Sequence, residues 1–238
     1  MRTLLLLGWL IIPIGGAAYH YGPGQEKMRL DDIAATLAVA DREAAGGNWQ
    51  ESARTYEAAL AQIPADRVAD ARKVRLERDK SWMNAGKLPE ANVDLKGLVD
   101  ELQADTNVDA KTLNGAREAF ANSQYYTTWL MKLEGLGRED WEPEVESARQ
   151  TFRLLAEQAE RDGDATSAER SREDLESTIR LARMDPSDLQ GLALPKQCQN
   201  CKSGQCNKPG RKPGKKPSQE KKDSRNAGAG PPPDGSGS

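Results

Sequence analysis

The sequence predicts an all-α fold built from antiparallel helical hairpins. Three observations predict it. Apolar residues recur at helical spacing through most of residues 27–185. Glycine-containing breaks interrupt that pattern at Gly46-Gly47, Gly86, Gly135-Leu136-Gly137 and Gly163. No stretch alternates apolar and polar residues as a half-buried strand would.

The first element is expected over Lys27–Ala45, with Leu30, Ile33, Leu37 and Ala40 on one stripe. Gly46-Gly47-Asn48 breaks it. Trp49, Ala53, Tyr56, Leu60 and Ile63 then share one helix face, and Pro64 stops that helix. A third helix is expected over Ala65–Ala85. A fourth restarts after Gly86, with Leu88, Ala91, Leu95, Leu98 and Leu102 on one face. Asn107-Val108-Asp109 supplies a helix start for a fifth, patterned through Leu113, Ala116, Phe120, Tyr126 and Leu130. Gly135-Leu136-Gly137 ends it. Glu142-Pro143 is expected to open the sixth, because proline suits a first turn, and Val145, Ala148, Phe152, Leu155 and Ala159 form its stripe. Asp162-Gly163-Asp164 repeats the Gly47 type of turn before a last helix holding Ala165, Ala168, Leu175, Ile179 and Ala182. Asp185-Pro186 closes that pattern. The count is about seven helices.

The segment from Gly47 to Pro64 carries a known spacing. A small residue at a turn, an aromatic two positions later, Ser52, Tyr56, Ala59 and a closing Pro64 resemble the second half of a tetratricopeptide repeat. The first half departs from the family pattern, since Thr36 and Glu43 stand where aromatics are usual. Gly47 and Gly86 lie 39 residues apart, longer than the ~34-residue repeat. The similarity covers about 30–185 and is strongest at 47–64. It implies a tetratricopeptide-like solenoid or curved bundle. It also implies a surface that holds other proteins rather than one that carries chemistry.

Three parts are expected along the chain: residues 1–24, a helical domain over 25–190, and a tail over 191–238. Arg2 precedes Leu4–Ala18, fifteen mostly apolar residues ending in small ones. This is the layout of a signal peptide, or of an uncleaved anchor if residues 4–21 stay in the membrane with Tyr19 and Tyr21 at the interface. Either places the body outside the cytoplasm, in a periplasm or at the outer face of a cytoplasmic membrane. The tail is rich in Lys, Pro and Gly and lacks apolar residues to bury, so it is expected to be disordered. The net charge of −3 hides a division. Residues 196–238 carry ten basic and three acidic residues, against 24 basic and 34 acidic in residues 1–195. An acidic body and a basic tail face different surfaces.

Composition also limits the chemistry. His20 is the only histidine, beside the apolar run, so a histidine base or a multi-histidine zinc site is not expected. There is no glycine-rich phosphate loop. No catalytic residue, and no cofactor, is expected. Cys198, Cys201 and Cys206 are the exception with chemical meaning. They offer one disulfide plus a third thiol outside the cytoplasm, or three thiolates to a soft metal such as zinc, which would need a fourth ligand. In the tail, Lys208, Arg211, Lys212, Lys215, Lys216, Lys221 and Lys222 suit anionic lipid or cell-wall polymer. Nucleic acid is disfavoured because no aromatics are interleaved for stacking.

Tyr125, Tyr126, Trp129 and Trp141 form the densest aromatic group in a chain with 5% aromatics. Tyr125 and Trp129 are i,i+4 neighbours, and Tyr126 lies one position round the helix, so the group cannot all face one core. These four are the candidate contact surface for a partner, expected to be another envelope protein. The functional expectation is a non-enzymatic scaffold or assembly factor. The alternatives are a metal- or redox-linked carrier using the cysteines, and an adhesive using the tail.

Overall fold

A computed structural model describes residues 23–195 and Gln197. Among them are eight helices: α1 (Pro23–Ala45), α2 (Trp49–Leu60), α3 (Val68–Asn84), α4 (Leu88–Ala104), α5 (Ala110–Leu133), α6 (Arg138–Asp162), α7 (Ala165–Arg183) and α8 (Pro186–Gln190). The described residues include no strand. The fold class is all-α.

Four glycines end helices in the same way. Gly47, Gly86, Gly135 and Gly163 have φ of 78°, 80°, 76° and 75°. This left-handed conformation is cheap for glycine and costly for residues with a Cβ. Each turn closes with two backbone hydrogen bonds. Gly47 N donates to Ala44 O at 3.0 Å and Asn48 N to Glu43 O at 2.8 Å. The same pair recurs from Gly86 and Lys87 to Met83 and Trp82, from Gly135 and Leu136 to Lys132 and Met131, and from Gly163 and Asp164 to Glu160 and Ala159. These are Schellman turns, which satisfy carbonyls that a helix end otherwise leaves open. In three of the four, the residue five positions after the glycine is small and buried: Ser52, Ala91 and Ala168.

The following helix starts also have visible causes. Asp109 accepts from Lys111 N and Thr112 N, both at 3.3 Å, and caps α5. Asp164 accepts from Ser167 N at 3.0 Å and caps α7. Two starts differ from the sequence expectation. Helix α6 begins at Arg138, so Pro143 stands inside it rather than at its opening. Gly137 sits at the N-cap position with φ −64° and ψ 160°, and the first turn forms before proline is reached. Proline there removes the bond its N–H would have given to the Glu139 carbonyl. Asp185-Pro186 does not only close α7. It opens the short α8, where the Asp188 carboxylate accepts from Asp185 N at 3.3 Å.

The chain divides into two compact units, which part between Ser81 and Trp82. In the first, α1 packs on α2, and Ala40, Tyr56 and Val74 form a core flanked by Leu37, Leu60 and Ile63. Polar links cross this hairpin. Ser52 Oγ donates to Ala40 O at 3.0 Å and lies 3.1 Å from Ser81 Oγ. Thr55 Oγ1 donates to Glu43 at 2.7 Å, and Tyr56 OH donates to Asp41. Burial and the Asp41 carboxylate push the Tyr56 phenol well above its usual range.

In the second unit, α5 packs against α4, α6 and α8, and α6 packs on α7. One apolar cluster joins Ala121, Ala148, Phe152 and Leu155, with Leu175 against it. Another joins Trp129, Leu181 and Leu189, with Tyr125, Leu133, Met184 and Leu192 around it. Because α5 is surrounded by other helices, its interior also takes polar side chains, including Ser123, Gln124, Thr128 and Lys132. Ser123 accepts from Asn92 Nδ2 at 2.9 Å and donates to Phe120 O at 2.7 Å. Gln124 Nε2 donates to Glu144 at 3.0 Å, and Thr128 Oγ1 to Gln124 O at 2.9 Å.

Two glycine substitutions separate backbone conformation from packing. A Cβ added at Gly163 or at Gly97 meets no atom within 4 Å. Gly163 has positive φ, whereas Gly97 lies within α4. Gly163→Ala is expected to lower unfolding stability by about 1 kcal/mol. Gly97→Ala is expected to raise it by about 0.5–1 kcal/mol. Urea melts of both variants measure the two signs.

Candidate functional site

The second unit has a pocket where the ends of four helices meet. Lys132 comes from the last turn of α5, and the Gly135 turn follows it with Leu136. Arg138 and Trp141 come from the start of α6, Ala182 from the end of α7, and Asp185 and Pro186 from the start of α8. Arg183 and Met184 complete the lining of a cavity of about 440 Å³. A second groove of about 430 Å³ shares Arg183 and Met184 and is lined further by Glu176, Ile179 and Arg180 of α7 and by Asp188 of α8.

Lys132 organises the pocket floor. It is only 3% exposed. Its ammonium donates to Leu181 O at 2.8 Å and to Ala182 O at 3.1 Å. It also lies 4.1 Å from the centre of the Trp141 ring. The two carbonyls belong to the C-terminal end of α7, where a helix presents its negative pole and a cation is favoured. Trp141 adds a cation–π contact. Burial lowers the Lys132 pKa from its ordinary 10.5; Asp185 opposes that shift, and Arg138 adds to it. Arg138 is held by Glu142, with Nε to Oε1 at 2.9 Å.

The expected aromatic surface is divided by the fold. Tyr126 is 6% exposed and Trp129 is 2% exposed, so both belong to the interior. Tyr125 and Trp141 are half-buried. Tyr125 stands edge-on to Tyr126 at 5.3 Å between ring centres and lies 6.2 Å from Trp129. The Trp129 Nε1 is buried and has no hydrogen-bond partner among the described atoms. The surface expectation therefore narrows to Tyr125, at the edge of the Trp129 cluster, and Trp141, in the pocket. Cys198, Cys201, Cys206, the tail cations from Lys208 to Lys222, and the apolar run over 4–21 lie outside the described residues. Among the described residues, no helix is long and apolar enough to cross a membrane.

Sequence reasoning missed Lys132, Arg138, Arg183 and Asp185. One signal was present. Lys132 lies four residues after Thr128 and eight after Gln124, so all three share one face of α5, and the structure turns that face inward. No protein-family model matches the chain, and no curated protein shows significant similarity to it.

The Lys132 shift has a stability consequence with a definite sign. The folded chain holds this proton less tightly than the unfolded chain. Stability therefore rises as pH climbs from the folded value toward 10.5, while the buried charge is relieved. The difference in unfolding free energy between wild type and Lys132→Met is expected to shift in favour of wild type across that window. Urea melts of both proteins from neutral to alkaline pH check it. A difference independent of pH would mean that Lys132 titrates normally.

Proposed function

We propose that this chain is a non-enzymatic scaffold that binds another protein through its helical body at the cell envelope. The observation that carries the proposal is the repeated hairpin turn. The same left-handed glycine and the same pair of hydrogen bonds recur four times, three times with a small buried residue five positions on. Repetition of one turn between helices, with packed hairpins at Gly47, Gly135 and Gly163, suits a tetratricopeptide-like protein, and such arrays act by presenting surface. The polar links between α1 and α2 support that reading despite the missing first-helix aromatics. Glu43, which stands at one of those positions, takes up Thr55 instead.

The contact surface in this reading lies on the second unit, around Tyr125, Trp141 and the adjoining pocket. Aromatic side chains that are half-buried give contact area at low entropic cost. Envelope placement rests on the apolar run over 4–18 behind Arg2. The partner is then another envelope protein.

Cross-linking in the native cells tests this, with the full chain and with a form ending at Gln197. The end point matters, because Leu189 and Leu192 pack with Trp129 and Leu181 and must be kept. The expected outcome is one defined envelope protein captured by both forms. Capture by the full chain alone would assign binding to the cysteine and lysine tail, and the scaffold reading would be wrong.

A further inference from the structure

We propose that the pocket between the end of α5, the start of α6 and the end of α7 receives an acidic peptide segment with an apolar anchor side chain, contributed by the partner protein. This deepens the scaffold reading and rests on it. Charge and shape both favour such a segment. Residues 1–195 carry 34 acidic and 24 basic residues, yet this pocket is lined by Lys132, Arg138 and Arg183 against Asp185 alone. The lining is net positive, and stays so when the Glu142 carboxylate on Arg138 is counted, whereas residues 1–195 together are net negative.

The three cations are not equivalent. Lys132 is committed to the Leu181 and Ala182 carbonyls and to the Trp141 ring. Arg138 is committed to Glu142. Arg183 is exposed, and among the described residues no ion pair holds its guanidinium. It is therefore the group free to take a carboxylate from outside, in the planar two-pronged geometry that guanidinium favours. Trp141 and Met184 offer the apolar wall beside it. A volume of about 440 Å³ is large enough for an apolar side chain with a carboxylate neighbour. Arg183 and Met184 also line the second groove.

The test uses the full chain, panned against a random-peptide phage library. Selected peptides are expected to share an apolar residue flanked by Asp or Glu. The best of them should bind more weakly at higher salt. Arg183→Glu should raise its Kd about tenfold or more. Arg170→Glu, the same charge change elsewhere on α7, should leave it unchanged. Circular dichroism and thermal melting confirm that each variant folds, and Arg183→Gln replaces Arg183→Glu if the reversal unfolds the unit. The Trp141 indole signal should shift when the peptide binds. A library that yields no binder or no acidic preference, an unchanged Kd in folded Arg183 variants, or an unmoved Trp141 indole would each overturn the proposal. Cross-linking in cells then separates the two claims. Equal capture of the envelope partner by wild type and Arg183→Glu would sink the pocket assignment while the scaffold stands. Capture by neither the full chain nor the form ending at Gln197 would sink the scaffold itself.

Discussion

The structure depends on helices that end abruptly. A helix of Ala, Leu, Glu and Arg has little local reason to stop, and apolar stripes alone would allow longer rods. The left-handed glycine is what stops it. At Gly47, Gly86, Gly135 and Gly163 the chain turns within a residue or two, and the turn itself satisfies two carbonyls of the finished helix. At Gly47, Gly135 and Gly163 the next helix then lies back along the last and buries its stripe. The pocket inherits this constraint. Lys132 and Trp141 come together because the Gly135 turn brings the start of α6 back beside the end of α5.

A second feature follows from cores rich in alanine. Large apolar residues are few, so close approach is achieved with Ala and Ser, and hydrogen bonds fill in where area is short. Ser52 touching Ala40 O and Ser81 illustrates this in the first unit. In the second, α5 is surrounded and can bury Ser123, Thr128 and even Lys132, because each finds an acceptor. A buried polar group that is paired costs little, whereas one left alone costs about 1–3 kcal/mol. The unpartnered Trp129 Nε1 is a point where this balance is not met, and the apolar packing of the ring against Leu181 and Leu189 offsets it.

Much of the fold was legible because its signals are local. The glycine breaks, the Asp109 cap, and the stripes of α2, α4 and α6 all follow from residues within a few positions of one another. The misreadings share a different origin. Pro143 suits a helix start, but Gly137 provides one six residues earlier. Trp129 looked available to a partner, but its neighbours Leu181 and Leu189 lie over fifty residues away in sequence. Lys132 was invisible as a site residue for the same reason. A charged side chain is expected outside unless partnered, and its partner Leu181 O is 49 residues distant. Local pattern specifies elements; the identity of the buried polar contacts depends on which helix ends meet.

The most direct measurement of this account is amide hydrogen exchange at Asn48, Lys87, Leu136 and Asp164. Each of these N–H groups donates back across its glycine turn to a carbonyl five residues earlier. If the four turns define the hairpins, all four amides will exchange about tenfold or more slowly than an unstructured chain, although each follows a helix end. Exchange at unstructured rates in all four, with helix interiors still protected, would contradict the account. It would mean that the helices form but that these turns do not hold them together.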